Sequence, residues 1–271
     1  MVRQYYVDQV TELSNQELNS IINAAQPPVC LLGGWAVHLH VNEKFEEEHG
    51  RGYIGSRDID LGIHVDPEMD AEELQRDTVG KTLSNIQELG YTESRFGFVQ
   101  HFLRDTGEPI SEKEAENHPI HEVFQVYIDI IPDTDELDHF KEAFGFRPPA
   151  EPLLKPVFQQ KESEPLDDYV SWSVDEAVIV PPELLAAMKI RSLPDRDKSH
   201  KRVKDASDLH VLLWYTKDYN QISSETHSWV SEEDIERLEE AFSTELAEEA
   251  ANLLQTNPST LEESIKRLFR Q

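Results

Sequence analysis

Two short segments decide the fold of this chain: LLGGWAV at residues 31–37 and GSRDIDL at residues 55–61. In the first, paired glycines follow a short apolar run, which predicts a buried strand that turns into a helix. The second predicts a strand. Side chains two residues apart in a strand point to the same face, so we expect Asp58 and Asp60 to share one face while their apolar neighbours face a core.

The aspartates of this strand indicate a cation site. No basic residue lies between Asp58 and Asp60, and two carboxylates this close repel each other unless a cation neutralises them. Oxygen ligands of this kind suit Mg²⁺ or Mn²⁺. A third candidate ligand is Asp129, the lone acid of the apolar segment VYIDIIP at residues 126–132. An unpaired acid is costly to bury there, which favours a functional role.

Length and composition bound the class of protein. The 271 residues, 38% of them hydrophobic, suffice for one large domain or two ordinary ones. We find neither an apolar run long enough to span a bilayer nor the apolar stretch of a signal peptide. A single cysteine, Cys30, excludes an internal disulfide and a cysteine zinc site. We therefore expect a cytoplasmic protein that does not interact with a membrane.

The net charge of −29 arises from 54 acidic and 25 basic residues. Apolar periodic segments occur throughout, which argues against a disordered acidic chain, and the acids are spread along the whole length, which argues against an acidic tail. The composition favours a halophilic cytoplasm, such as that of a halophilic archaeon, where molar salt screens self-repulsion. The charge therefore describes the solvent and does not exclude a nucleic-acid substrate.

Local patterns predict the remaining elements of the first 180 residues. The sequence SNQE at residues 14–17 is a capping box that predicts the start of a helix. Residues 96–104 and 123–131 read as a pair of strands. Between them, residues 105–122 are polar and acidic, and we expect a long solvated loop.

The character of the sequence changes after Pro181 and Pro182. The preceding residues alternate between predicted strands and helices, whereas those that follow show helical periodicity alone. We therefore predict an α+β fold in two domains, a mixed α/β domain at residues 1–180 and a helical domain at residues 181–271.

The order of these motifs resembles a known superfamily. A Gly-Gly turn into a helix, then Ser-x-Asp-x-Asp, then a lone strand Asp is similar to the nucleotidyltransferases typified by DNA polymerase β. Within them, the chain most resembles the AbiEii-type toxin nucleotidyltransferases. LLAAMK at residues 184–189 and KDASDL at residues 204–209 are similar to that group's Lys on one helix and Lys-Asp-x-x-Asp-Leu on the next. The resemblance covers roughly residues 29 to 214.

The resemblance implies a fold and a reaction. The fold is a mixed sheet flanked by helices and followed by a helical domain, with the active site in the cleft between the two domains. Such enzymes transfer a nucleoside monophosphate from an NTP to a hydroxyl and release pyrophosphate. Asp58 and Asp60 would hold two Mg²⁺ ions, for which Mn²⁺ is the alternative, and Asp129 would hold the ion that activates the acceptor hydroxyl.

The resemblance also implies ligands for the triphosphate. The backbone N–H groups at Gly33 and Gly34 open a helix, and helix N-termini favour phosphate. Ser56 would add a hydroxyl donor. Lys189 would reach a β- or γ-phosphate as a point charge, and Lys204 would do the same.

The second helical motif contains two acids whose implied roles are indirect. Asp205 and Asp208 would fix Lys204 or shape the acceptor site. Other interpretations stay open for the lysines: Lys189 as a surface residue with its charge in water, and Lys204 as part of a solvated helix face.

The sequence departs from the family's pattern at two positions. A basic residue often lies two positions before the Ser or Thr, and Ile54 occupies that place here. Arg57 or Arg51 could replace this basic residue, and Arg57 would then contact the nucleotide. At the second glycine position well-studied transferases commonly have Ser, so Gly34 leaves the backbone alone to contact phosphate.

The implied partners are an NTP and an acceptor, either a tRNA or other RNA end or a protein side chain. A toxin role would imply a cognate antitoxin. Two alternatives stay open: a small-molecule, antibiotic-type nucleotidyltransferase, and a catalytically idle nucleotide- or partner-binding protein on the same fold. The presence of all three carboxylates argues against the idle protein.

Overall fold

The computed structural model describes residues 8–159, 163–172 and 176–270. These residues divide into two compact units, one built around a β-sheet and one built of helices.

The sheet unit contains residues 8–35 and 55–180, and the helical unit contains residues 36–54 and 181–270, each without the gaps just given. Residues 36–54 therefore group with the C-terminal helices, whereas the division drawn from the sequence places them in the N-terminal part.

The described part of the sheet unit contains one mixed sheet of eight strands. They are β1 (Val29–Leu32), β2 (Asp58–Ile63), β3 (Thr92–Glu93), β4 (Gly97–Leu103), β5 (Pro109–Ile110), β6 (Val123–Pro132), β7 (Glu164–Pro165) and β8 (Val178–Ile179). Their order is β3-β4-β6-β2-β1-β8-β7, and β5 pairs with β4. The central pair β6–β2 is parallel, as is β1–β8, and the other pairings are antiparallel.

Strand β6 shows how the sequence forms this sheet. It is rich in β-branched and aromatic residues, which fit a pleated surface. Phe124, Val126, Ile128 and Ile130 are buried, and the residues that alternate with them are half-exposed. One face of β6 therefore packs in the core, while the other remains partly open to solvent.

The helices lie between and after the strands. The sheet unit contains α1 (Asp8–Ala24), α3 (Ala71–Arg76), α4 (Thr78–Glu88), α5 (Glu112–Ala115), α6 (Asp138–Phe144) and α7 (Lys155–Gln159). The helical unit contains α8 (Pro182–Ser192), α9 (Ser199–Tyr215), α10 (Tyr219–His227), α11 (Glu232–Ala241), α12 (Thr244–Leu254) and α13 (Pro258–Lys266). Helix α2 (Gly33–His49) begins in the sheet unit, and its residues from Ala36 onward belong to the helical unit.

Two local predictions are wrong. Ser14 does not cap a helix, because α1 already includes Asp8 and continues through Ser14. The Ser14 hydroxyl is buried and instead accepts a hydrogen bond from Trp35 Nε1 at 3.0 Å. Residues 105–122 are not a continuous loop, since they contain β5 and the short capped helix α5.

The predicted fold class is confirmed at the level of architecture. The chain is α+β, with a mixed sheet flanked by helices and a helical C-terminal region. The predicted pairing of residues 96–104 with 123–131 is present as the antiparallel pair β4–β6. Among the described residues, we find no helix with the length and apolar character needed to cross a membrane.

Candidate functional site

The three predicted aspartates lie on one face of two neighbouring strands. Asp58 and Asp60 are on β2, and Asp129 is on the adjacent parallel strand β6, where it is the register partner of Asp60. All three are half-buried, whereas the alternating residues Ile59 and Ile128 are buried. Neighbouring strands lie about 4.8 Å apart, so this register brings the carboxylates of Asp60 and Asp129 side by side.

A glycine at the start of α2 packs directly against the row of Asp58, Asp60 and Asp129, which we call the carboxylate row. Gly33 follows Leu32, the antiparallel register partner of Asp60, and has φ +67°, a left-handed conformation that favours glycine. A Cβ atom at Gly33 would lie 1.9 Å from Asp60 Oδ2. The Asp60 carboxylate therefore lies against the helix start, where the backbone dipole favours negative charge.

The residues just before β2 are near the row but differ in what they contact. Ser56 is half-buried, and its hydroxyl makes no hydrogen bond within the described part of the chain. The Arg57 guanidinium lies over the Phe124 ring, 5.4 Å from the centroid, and its buried Nε has no hydrogen-bond partner among the residues that the structure describes.

The alternative basic residue, Arg51, belongs to the helical unit. Its guanidinium lies 5.1 Å from the centroid of the Phe45 ring and donates a hydrogen bond to the Leu254 carbonyl. These contacts give Arg51 a structural role within that unit, so Arg57 is the stronger candidate to replace the basic residue absent at position 54.

The oxygen donors of the three aspartates match the preference of Mg²⁺ for hard ligands. Within the described ranges, no group of three or more His, Cys, Asp or Glu side chains is positioned to hold a metal ion. Mg²⁺, however, is usually bound through one or two carboxylates together with waters and substrate phosphates, rather than by a cage made of protein alone. The register pair Asp60–Asp129, with Asp58 on the same face, fits this mode of binding chemically.

Tyr127 is a site residue that sequence reasoning missed. It lies two residues before Asp129 on the same face of β6, and it is the register partner of Asp58. Burial raises its pKa and the charges of Asp58 and Asp129 add to this, although Arg57 opposes it. The two-residue alternation that places Asp58 and Asp60 on one face of β2 also places Tyr127 on the face of Asp129, so Tyr127 was predictable from the sequence.

The four predicted residues of the helical unit also come together, in a buried ion-pair network. Lys189 Nζ on α8 lies 2.7 Å from Asp205 Oδ1 and 2.8 Å from Asp208 Oδ2, both on α9. Lys204 Nζ contacts Asp208 Oδ1. The Tyr53 hydroxyl donates to the same Asp208 oxygen at 2.6 Å.

Burial sets the electrostatics of this network. Lys189 and Lys204 are 8% and 6% exposed, so the interpretations as a surface residue and as a solvated helix face are wrong. Burial by itself would raise the pKa of Asp205, but Lys189 and Arg196 outweigh it and lower the pKa to about 2. For Lys204, burial lowers the pKa more than the ion pair with Asp208 raises it.

The predicted residues thus form two groups, the carboxylate row with Gly33 and Ser56 in the sheet unit and the ion-pair network in the helical unit. No family model matches this sequence, and neither the curated proteins nor the solved structures contain a significant match. The resemblance to nucleotidyltransferases therefore stays a prediction based on the motifs.

Proposed function

We propose that this protein is a Mg²⁺-dependent nucleotidyltransferase with a nucleotidyltransferase fold. It transfers a nucleoside monophosphate from an NTP to the hydroxyl of an RNA end. The resemblance to the toxin group makes tRNA the first acceptor to test, with a protein hydroxyl next, and implies a cognate antitoxin.

One observation carries the proposal. Asp60 and Asp129 are register partners on adjacent parallel strands, Asp58 lies on the same face, and the start of α2 at Gly33 lies against Asp60. Carboxylates in a row beside a helix N-terminus combine ligands for divalent cations with a backbone that favours phosphate. A nucleoside triphosphate with bound divalent cations would supply cations to the carboxylates and phosphates to the helix start.

The reaction balances without a further reagent. The acceptor oxygen forms a bond to the α-phosphorus, the bridging α–β P–O bond breaks, and the bonding electrons leave with pyrophosphate. The hydroxyl proton passes to solvent. Divalent cations held by Asp58, Asp60 and Asp129 would neutralise the charge that develops on the attacking and leaving oxygens.

Other side chains of the sheet unit would bind the triphosphate. The Ser56 hydroxyl is free to donate to a phosphate oxygen, and the Arg57 Nε lacks a hydrogen-bond partner among the described residues. The phosphate roles of Lys189 and Lys204 stay predictions, because both ammonium groups are buried and paired with carboxylates.

The test is label transfer from each of the four α-³²P-NTPs to total cellular RNA, in high-KCl buffer with Mg²⁺. We expect label on a discrete RNA band with the wild-type protein, and none with Asp58→Asn or Asp60→Asn. Asp105→Asn is the matched control, because Asp105 is an exposed acid of the same unit outside the row. It should transfer label at the wild-type rate.

The same assay separates the alternatives. Label on a small molecule, with RNA and protein unlabelled, would support the small-molecule transferase and refute the RNA acceptor. Absence of label from RNA, protein and small molecules would refute the enzyme and leave the idle binding protein. Equal transfer by wild type and Asp58→Asn would refute the assignment of the site.

A further inference from the structure

A chain of hydrogen bonds runs along the open face of the sheet, beginning beside the carboxylate row. The Tyr127 hydroxyl donates to Gln125 Oε1 at 2.8 Å, and Gln125 Nε2 lies 2.8 Å from His101 Nε2. Gln125 and His101 are register partners on β6 and β4. Because the amide nitrogen can only donate, His101 Nε2 is the acceptor.

This chain fixes the position of the Tyr127 ring. Its hydroxyl is directed along β6 toward Gln125 and is thus engaged on the side away from Asp129. A ring anchored at its tip keeps one orientation without a ligand, which reduces the entropic cost of binding against it.

The surroundings of the ring combine apolar and charged neighbours. In register, Tyr127 lies between Val99 on β4 and Asp58 on β2, and all three side chains are half-exposed. The proton of the Tyr127 hydroxyl is already donated to Gln125. What Tyr127 offers a ligand is therefore its aromatic surface. Aromatic surface beside a carboxylate row suits a flat ring whose phosphates would be held at the carboxylates through divalent cations.

We propose that Tyr127 is a stacking platform for a nucleobase, held in position by Gln125 and His101. This inference rests on the proposed function and extends it from the phosphates to the base. The base belongs either to the NTP or to the terminal nucleotide of the RNA acceptor. Stacking accepts any base, since each has a π-face, so Tyr127 contributes affinity rather than a choice among the four nucleotides.

The test compares ligands with and without a base by equilibrium binding to the full chain in high-KCl buffer with Mg²⁺. The probes are the four NTPs against inorganic tripolyphosphate, and a short RNA against the same RNA with an abasic terminal nucleotide. In one of these two pairs, Tyr127→Leu should weaken binding of the base-containing ligand about 5- to 150-fold, which is the range expected for one lost base stack. Binding of tripolyphosphate and of the abasic RNA should not change.

The pair whose base-containing member loses affinity identifies the source of the base. Weakened NTP binding assigns the platform to the nucleotide, and weakened RNA binding assigns it to the acceptor. Equal affinities of wild type and Tyr127→Leu for every probe would overturn the proposal. Tyr127→Phe keeps the ring and should stay within about threefold of wild type, so a loss as large as that of Tyr127→Leu would also overturn it.

A matched control and a second assay separate this inference from the proposed function. Tyr169 is another half-exposed tyrosine of the sheet unit whose hydroxyl donates to a side chain, that of Glu164. Tyr169→Leu should bind all probes as wild type does. Base-dependent binding without any label transfer would refute the transferase and leave the platform standing. Label transfer that is unaffected by Tyr127→Leu in rate and KM would refute the platform alone.

Discussion

Replacing Gly33 with alanine perturbs the junction between the helix start and the carboxylate row. The new Cβ would lie 1.9 Å from Asp60 Oδ2 and 2.5 Å from Asp60 Cγ. Real Cβ atoms essentially never approach another heavy atom closer than 3.0 Å, so the carboxylate must move by at least about 1 Å. The substitution therefore displaces a proposed metal ligand without removing it.

The expected cost has two parts. Alanine in the left-handed conformation at φ +67° costs about 1–2 kcal/mol, and the forced displacement of Asp60 adds about 1–3 kcal/mol. Gly33→Ala should thus lower the free energy of unfolding by about 2–5 kcal/mol. Gly145→Ala is the matched control in the same unit, since Gly145 has φ +79° but its added Cβ would meet no atom of the described residues within 4 Å. It should show the backbone cost alone.

Urea unfolding at constant KCl, followed by circular dichroism, measures both variants. The double variant Gly33→Ala with Asp60→Ala should recover most of the displacement cost, because the crowded carboxylate is gone. Under the proposed function, a shift of about 1 Å should also lower label transfer by about 10²-fold. If Gly33→Ala is no more destabilising than Gly145→Ala, Asp60 does not pack against the helix start.

Three further predictions concern charge. Asp208→Asn removes a carboxylate from the buried network and should lower the free energy of unfolding by about 3–5 kcal/mol. Asp195→Asn, which breaks an exposed ion pair of the same unit, should change it by less than about 1 kcal/mol, and equal effects would refute the importance of the network. The hydrogen bond from His64 to Asp133 raises the pKa of His64, so its stabilisation is complete below pH 6.5 and is lost as pH rises through the folded-state pKa. In His64→Gln, the urea midpoint of unfolding should therefore fall less steeply than in wild type as pH rises above 6.5. The same pH dependence in both proteins would contradict this. With a net charge of −29, the melting temperature should rise with KCl concentration as self-repulsion is screened; a melting temperature independent of KCl would contradict the halophilic interpretation.

The sequence predicts the carboxylate row well because the row depends on a local rule. Alternation in β2 and β6 places every second side chain on one face, and this rule needs no knowledge of the rest of the chain. What the rule leaves open is which strands are neighbours. The register of Asp60 with Asp129 comes from strand pairing between residues 69 positions apart, and only the resemblance pointed to it.

The local predictions failed where a tertiary contact overrides a local signal. Ser14 has the sequence pattern of a helix cap, but Trp35 donates to its buried hydroxyl, and the helix begins earlier in the chain. Composition also misled for residues 105–122, because polar and acidic residues form the capped helix α5 as readily as a loop.

Lys189 shows a further limit of reading one helix at a time. Lys189 and Lys204 appear polar and therefore solvated in sequence, yet the acids that neutralise them come from α9 and allow both to be buried. A charge can leave water when a partner of opposite sign is provided. For Lys189 those acids lie on another helix and are visible only once α8 and α9 are packed together, whereas Lys204 and Asp208 are four residues apart on α9.

Nucleotidyl transfer at the carboxylate row is tested by following the position of the label in the NTP. RNA is incubated with the preferred NTP carrying ³²P at either the α- or the γ-phosphate, using wild type, Asp129→Asn and the control Asp105→Asn. We expect α-label on RNA with wild type and the control, none with Asp129→Asn, and γ-label recovered entirely as pyrophosphate. Label on RNA from the γ-position, or undiminished α-label with Asp129→Asn, would contradict it.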